Sequence, residues 1–268
     1  MRFLSVVILI MTISVSCQKK IALLLPAYDS QITMEMYLEQ GTILKCLLTE
    51  SLPYTDTVIN RPLDDAMVIF SDGFTSDTLQ NKDLHDWEYG RWYNYALHKR
   101  LAADTAKTYT LTIADKQKRT VKASTRFNQR LVYIDKLISK PLDQTAGRYS
   151  VGVVIQDPPG TEDFYRLMIA KQLNDFNASP TDMYMSDLSF NGKSFSIFSE
   201  EGYAKGDTVI VRLYSLQKEH YDYVQSVKGA RLSNFNPLVQ PSQIKSNIEG
   251  GLGIFAAIRF DQKQIIIR

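Results

Sequence analysis

From Ile32 onward the chain is written mainly in a period of two, apolar residues alternating with polar ones in short runs punctuated by glycine, proline, asparagine and aspartate. Ile32 to Glu39 and Ile43 to Glu50 flank Gln40-Gly41-Thr42, which predicts a hairpin with the permissive glycine in its turn. Ala66 to Ser71 and Phe74 to Leu79 flank Asp72-Gly73, a dipeptide suited to the positive φ angles of a type I′ turn. Tyr93 to Leu97, Thr108 to Ala114 and Arg119 to Thr125 continue the series. Six or seven short strands in about 100 residues predict an immunoglobulin-like β-sandwich over 31–129.

The pattern resumes after Arg130. Val132 to Ile138, Tyr149 to Gln156 and Phe164 to Ala170 read as strands, with Asp157-Pro158-Pro159-Gly160 forcing a turn between the last two. Met183 to Phe190 and Ser194 to Ser199 bracket Asn191-Gly192, the strongest short-range hairpin signal in the chain. Asp207 to Leu216 is a long alternating strand. One helix follows, with Leu216, His220, Tyr223, Val224 and Val227 at helical spacing, Ser215 placed to cap it and Gly229 placed to stop it. Gly253 to Phe260 and Gln264 to Ile267 close the series, so residues 130–268 are expected to form a second β-rich domain with one packed helix.

Ahead of the first strand the pattern changes character. Met1-Arg2, an apolar run from Phe3 to Ile13, and Ser14-Val15-Ser16 before Cys17 have the layout of a bacterial lipoprotein signal at 1–16, with Cys17 lipidated and 17–30 as a tether. The run is shorter than the roughly 20 residues that span a bilayer, and Lys19-Lys20 interrupt it. Each buried acyl methylene stabilises attachment by about 0.8 kcal/mol, so two chains hold the protein at the membrane. An ordinary secretory signal cut at or before Ser16 is the alternative. Either way the chain is expected outside the cytoplasm. Cys46 then stands as a lone thiol, read as a small apolar strand residue.

Charge and chemistry narrow the function further. With 31 basic against 29 acidic residues, there is no electrostatic footprint for nucleic acid. Gly192-Lys193-Ser194 copies the end of a phosphate-binding loop, but Asp187 stands where the motif needs its first glycine. Gly250-Gly251-Leu252-Gly253 is read as a bulge or tight crossing where a side chain would clash. His85, His98 and His220 are scattered, with no zinc-site spacing; His220, on the apolar stripe, reads as a core histidine. No Gly-x-Ser-x-Gly elbow occurs, and the paired carboxylates read as solvated loop charges. No catalytic residue, metal or cofactor is therefore assigned. The segment His85 to Tyr95 holds both tryptophans, and Trp87, Tyr89 and Trp92 are candidate ligand or partner contacts, packing inside the sandwich being the competing reading.

Met36-Tyr37-Leu38-Glu39-Gln40-Gly41 with Leu48-Thr49, Lys107 to Ile113, Asp157-Pro158 with Phe164-Tyr165-Arg166, and Asn234-Phe235-Asn236-Pro237 leading to Ser246 through Phe255 carry a resemblance in their order and spacing. The chain resembles Bacteroidetes-type lipoproteins with a domain of unknown function, commonly encoded beside TonB-dependent outer-membrane receptors. The resemblance implies an immunoglobulin-like part, a second β part and an accessory role near such a receptor. The expected function is that of a lipid-anchored outer-membrane binding protein that assists nutrient capture, with a glycan or peptide as the candidate ligand. Two rival functions stay open, an envelope hydrolase acting on glycans or peptides and a structural or adhesive surface subunit. Gln18-Lys19-Lys20 stands where surface-exported lipoproteins of such bacteria often have acidic residues, so the periplasmic and the cell-surface face both remain open.

Overall fold

The computed structural model of the chain describes residues 28–53, 61–87, 90–142, 147–171, 181–236, 238, 240 and 243–268. Cys17 and Tyr89 lie outside them. In chain order the strands are β1 (Ile32–Glu39), β2 (Ile43–Glu50), β3 (Arg61–Pro62), β4 (Met67–Ser71), β5 (Ser76–Asp86), β6 (Arg91–Arg100), β7 (Tyr109–Ala114), β8 (Thr120–Thr125), β9 (Ile134–Pro141), β10 (Arg148–Gln156), β11 (Phe164–Ala170), β12 (Thr181–Ser186), β13 (Ser194–Phe198), β14 (Tyr203–Ala204), β15 (Thr208–Leu216), β16 (Ile248–Glu249) and β17 (Leu252–Ile266). The helix α1 (Lys218–Phe235) lies between β15 and β16, and the fold is mainly β with this one packed helix. Among the described residues no helix is long and apolar enough to cross a membrane.

One sheet runs in the order β12-β11-β15-β17-β1-β2-β6-β5-β4-β7-β8-β16, and a smaller one joins β9, β10, β13 and β14. The large sheet turns back on itself along β5, whose first residues pair with β4 up to Leu79 while Gln80 onward pairs with β6, across an irregularity between Asn81 and Leu84. The two layers enclose Met34, Met36, Leu38, Cys46 and Leu48 against Val68, Phe70, Leu111, Ile113 and Val121. Each such side chain stabilises the sandwich by about 1.5–3 kcal/mol on burial. Burial also raises the Cys46 thiol pKa, as expected of a core residue.

The second sandwich packs β11, β15 and the end of β17 on the smaller sheet through Tyr165, Leu167, Val211 and Leu213 against Val151, Val153 and Ile155. Strand pairing crosses residue 130. Leu252 to Ile258 of β17 run parallel to β1, Arg259 to Ile266 pair antiparallel with β15, and β16 pairs with β8. The period of two on β17 explains the join. Phe255 and Ala257 complete the first core, whereas Ile254, Ala256 and Ile258 face the opposite way, toward the residues that pack around α1.

Several expected boundaries shift. Asn191-Gly192 does not close a hairpin: β12 pairs with β11 in the large sheet and β13 with β10 in the small one, so the turn carries the chain between sheets. Its groups are engaged elsewhere, the Gly192 N–H with Asp157 Oδ2 (2.8 Å) and the Asn191 amide with the Thr161 carbonyl (2.5 Å). Asp72-Gly73 is not a type I′ turn, because Asp72 lacks the positive φ that such a turn needs. Instead Asp72 Oδ1 accepts from the Phe74 and Thr75 N–H groups at 3.1 and 2.8 Å. Ser215 remains in β15, its Oγ accepting from the Val132 N–H, and α1 starts after Gln217 with no side-chain cap. Gly229 does not stop the helix, which continues for another turn and more to Phe235.

Candidate functional site

Odd-numbered residues of β1 point away from the first core, and α1 does not cover them completely. A cleft of about 560 Å³ remains, lined by Glu35, Tyr37 and Glu39 of β1, Lys45 of β2, Arg91 and Tyr93 of β6, Arg166 of β11, Asp182 and Tyr184 of β12, Ile258 of β17, and the face of α1 that carries His220, Tyr223, Val224 and Val227. Both sandwiches and the helix therefore contribute to one concave surface, of the size that takes small ligands.

Most of its charges are arranged in pairs, and Lys228 and Arg231 of α1 add two further cationic groups to the lining. Glu35 accepts a 2.9 Å hydrogen bond from Tyr223 Oη and lies 3.5 Å from Arg91 Nη1. Arg166 grips Asp182 with two parallel bonds of 2.7 and 2.8 Å, and its guanidinium lies 5.3 and 5.4 Å from the ring centres of Tyr184 and Tyr214. Lys45 pairs with Asp86 and lies 5.2 Å from the centre of the Tyr93 ring. Burial, followed by the charge of Glu35, raises the Tyr37 and Tyr223 hydroxyl pKa values. Burial likewise pushes Tyr184 up to about 12. These phenols stay protonated at neutral pH and can both donate and accept.

His220 is only 3% exposed, its ring 5.2 Å from that of Tyr37 and 6.3 Å from that of Tyr184, and its Nδ1 has no hydrogen-bond partner among the described residues. Burial, then the charges of Arg166 and Arg91, push its pKa down to about 3, so the imidazole is neutral. Reading His220 as a core residue locates it correctly but misses that it lines a cleft, since a helical stripe does not reveal where its cover is incomplete.

Trp87 and Trp92, the sequence candidates, are 65% and 63% exposed and pack on His85 with ring centres 4.0 and 4.5 Å away. They form an aromatic patch and are not among the residues that line the cleft. The alternation of β6 separates them: Arg91 and Tyr93 turn into the cleft, Trp92 does not. The available signal was the Tyr37-Leu38-Glu39 run, whose odd positions had to face something other than the first core. Gly250, Gly251 and Gly253 do form a tight crossing, as an added Cβ would lie 2.4 Å from the Thr120 carbonyl oxygen, 2.6 Å from that of Ile32 and 1.9 Å from that of Met34. Among the described residues no trio of metal-ligating side chains converges in the cleft.

The model of a family described as a domain of unknown function, DUF4249, matches residues 19–264. The chain belongs to this family. A DUF3823 family protein from Bacteroides uniformis, known from a crystal structure, is similar over 90% of this chain and 100% of that chain at 9% identity, with a TM-score of 0.28. No curated protein matches. The DUF4249 match takes in every residue named here as lining the cleft.

Proposed function

We propose that the protein is a lipid-anchored outer-membrane binding protein that captures a neutral, hydroxyl-rich ring compound, a glycan fragment, in the cleft under α1 and serves as accessory to a TonB-dependent receptor. The cleft carries this reading. Four tyrosines, Tyr37, Tyr93, Tyr184 and Tyr223, offer ring faces and hydroxyls, while Arg91–Glu35 and Arg166–Asp182 are already paired. With those charges engaged by one another, ring faces and hydroxyls are left to recognise the ligand, and aromatic faces beside fixed donors and acceptors suit sugar rings. The signal-like run before Cys17 supports the anchor.

The test is calorimetry of the purified protein against a panel of neutral oligosaccharides and short peptides. Saccharide binding that weakens about tenfold or more in Tyr37→Ala and Tyr184→Ala supports the proposal. Binding of peptides alone, or saccharide binding indifferent to both substitutions, overturns it. For the anchor, Cys17→Ser is expected to move the protein out of the membrane fraction, and the receptor role requires a TonB-dependent receptor in stoichiometric amount when the wild type is purified from detergent.

A further inference from the structure

Away from the cleft, the two connections that carry the chain between the sheets of the second sandwich bring three carboxylates together. Asp157 and Asp163 bound the β10–β11 connection, Asp187 opens the β12–β13 connection, and one oxygen from each lies within 4.8 Å of the others. Asp157 and Asp187 are wholly buried. Asp157 is held in place, with Oδ1 taking a 2.5 Å bond from Tyr165 Oη and Oδ2 a 2.8 Å bond from the Gly192 N–H, and each oxygen keeps a lone pair for a cation. Asp163 Oδ2 accepts from Thr161 Oγ1 at 2.7 Å, and Arg130, half in solvent, stands 3.9 Å away. Asp187 Oδ2 accepts from Asn191 Nδ2 at 2.9 Å, but its Oδ1, buried, has no partner among the described residues.

An orphaned, fully buried carboxylate oxygen is costly, and a neighbouring pair of acidic groups makes it costlier. Burial, with the charges of Asp157 and Asp163 adding to it, raises the Asp187 pKa. A cation removes both penalties at once.

We propose that Asp157, Asp163 and Asp187 form a calcium site that clamps the two crossover connections of the second sandwich. The donors are all hard oxygens, and Ca²⁺ bonds of about 2.3–2.6 Å let one ion reach oxygens separated by the observed spread. Mg²⁺ fits less well, since it demands shorter bonds of about 2.0–2.1 Å and retains its waters. Thr161 and Asn191, hydrogen-bonded to the carboxylates, fix the ligands in place.

The purified full chain, stripped with a chelator, is titrated with Ca²⁺ and then Mg²⁺, following heat and thermal unfolding. One equivalent of Ca²⁺ is expected to bind and to raise Tm by several degrees at saturation, with a smaller response to Mg²⁺. Asp187→Asn is expected to weaken binding about tenfold or more while leaving the Tm of the metal-free protein equal or higher, because it removes one of three converging charges. Asp163→Asn, at a less buried position, serves if Asp187→Asn does not fold, with the same loss of affinity expected. No heat and no Tm shift in the wild type at millimolar Ca²⁺ overturns the proposal, as does undiminished affinity in the folded variant.

Discussion

Tyr223 on the helix and Glu35 on the first strand are 188 positions apart in sequence and share a 2.9 Å hydrogen bond. It ties α1 to the sheet at the mouth of the cleft. Tyr223→Phe removes the donor from a part-buried carboxylate, and a loss of about 1–2 kcal/mol in denaturant unfolding is expected. Ligand affinity should fall in the same variant, and calorimetry checks it.

Gly253 has φ +124°, and a Cβ there would lie 1.9 Å from the Met34 carbonyl oxygen. Gly253→Ala must move β17 off β1 and is expected to cost about 3 kcal/mol or more, or to abolish folding. Gly41→Ala is the control. Gly41 also has positive φ, 79°, but nothing lies within 4 Å of an added Cβ, so about 1 kcal/mol is expected from thermal unfolding.

His220 is neutral in the native state down to about pH 3, whereas its ordinary value is 6.5. Between those values the unfolded chain takes up a proton that the native protein refuses, so stability is complete above about 6.5 and falls as the pH is lowered. The slope from this group is at most about 1.4 kcal/mol per pH unit. His220→Leu should flatten the acid limb of a stability-versus-pH curve, whatever it does to stability at neutral pH.

Trp87 and Trp92 lie mostly in solvent. Alanine at either position is expected to change unfolding free energy by about 0.5 kcal/mol or less. The same substitutions should leave saccharide affinity in the cleft unaltered while reducing co-purification of a receptor, which a detergent pull-down measures.

Most strands were legible because burial on one face stamps a period of two on the sequence; β1 and β2 start and end where that pattern does, whereas β11, buried on both faces, reads as a short apolar run. Partner choice was not legible. Asn191-Gly192 has the composition of a hairpin turn, yet β12 and β13 find partners in different sheets, because pairing is settled by packing between remote segments. Gly229 and Ser215 were misread for a related reason, as tertiary contact extended the helix past a residue of low propensity and kept the serine in its strand. The cleft was partly foreshadowed, since Tyr37, Glu39 and Arg166 stood in motifs, but Arg166 and Tyr184 reach β1 only through the long-range pairing of β11, β15 and β17.

The parallel contact between Leu252–Ile258 and the first strand sets the order in which the molecule can mature. Until the ribosome has delivered that segment, the opening strand has a vacant flank and the Met34–Met36 core lacks Phe255. Loop closure across most of the chain makes this a slow, non-local step. A polypeptide that completes its first-made half last cannot lock that half until nearly the whole chain has been made.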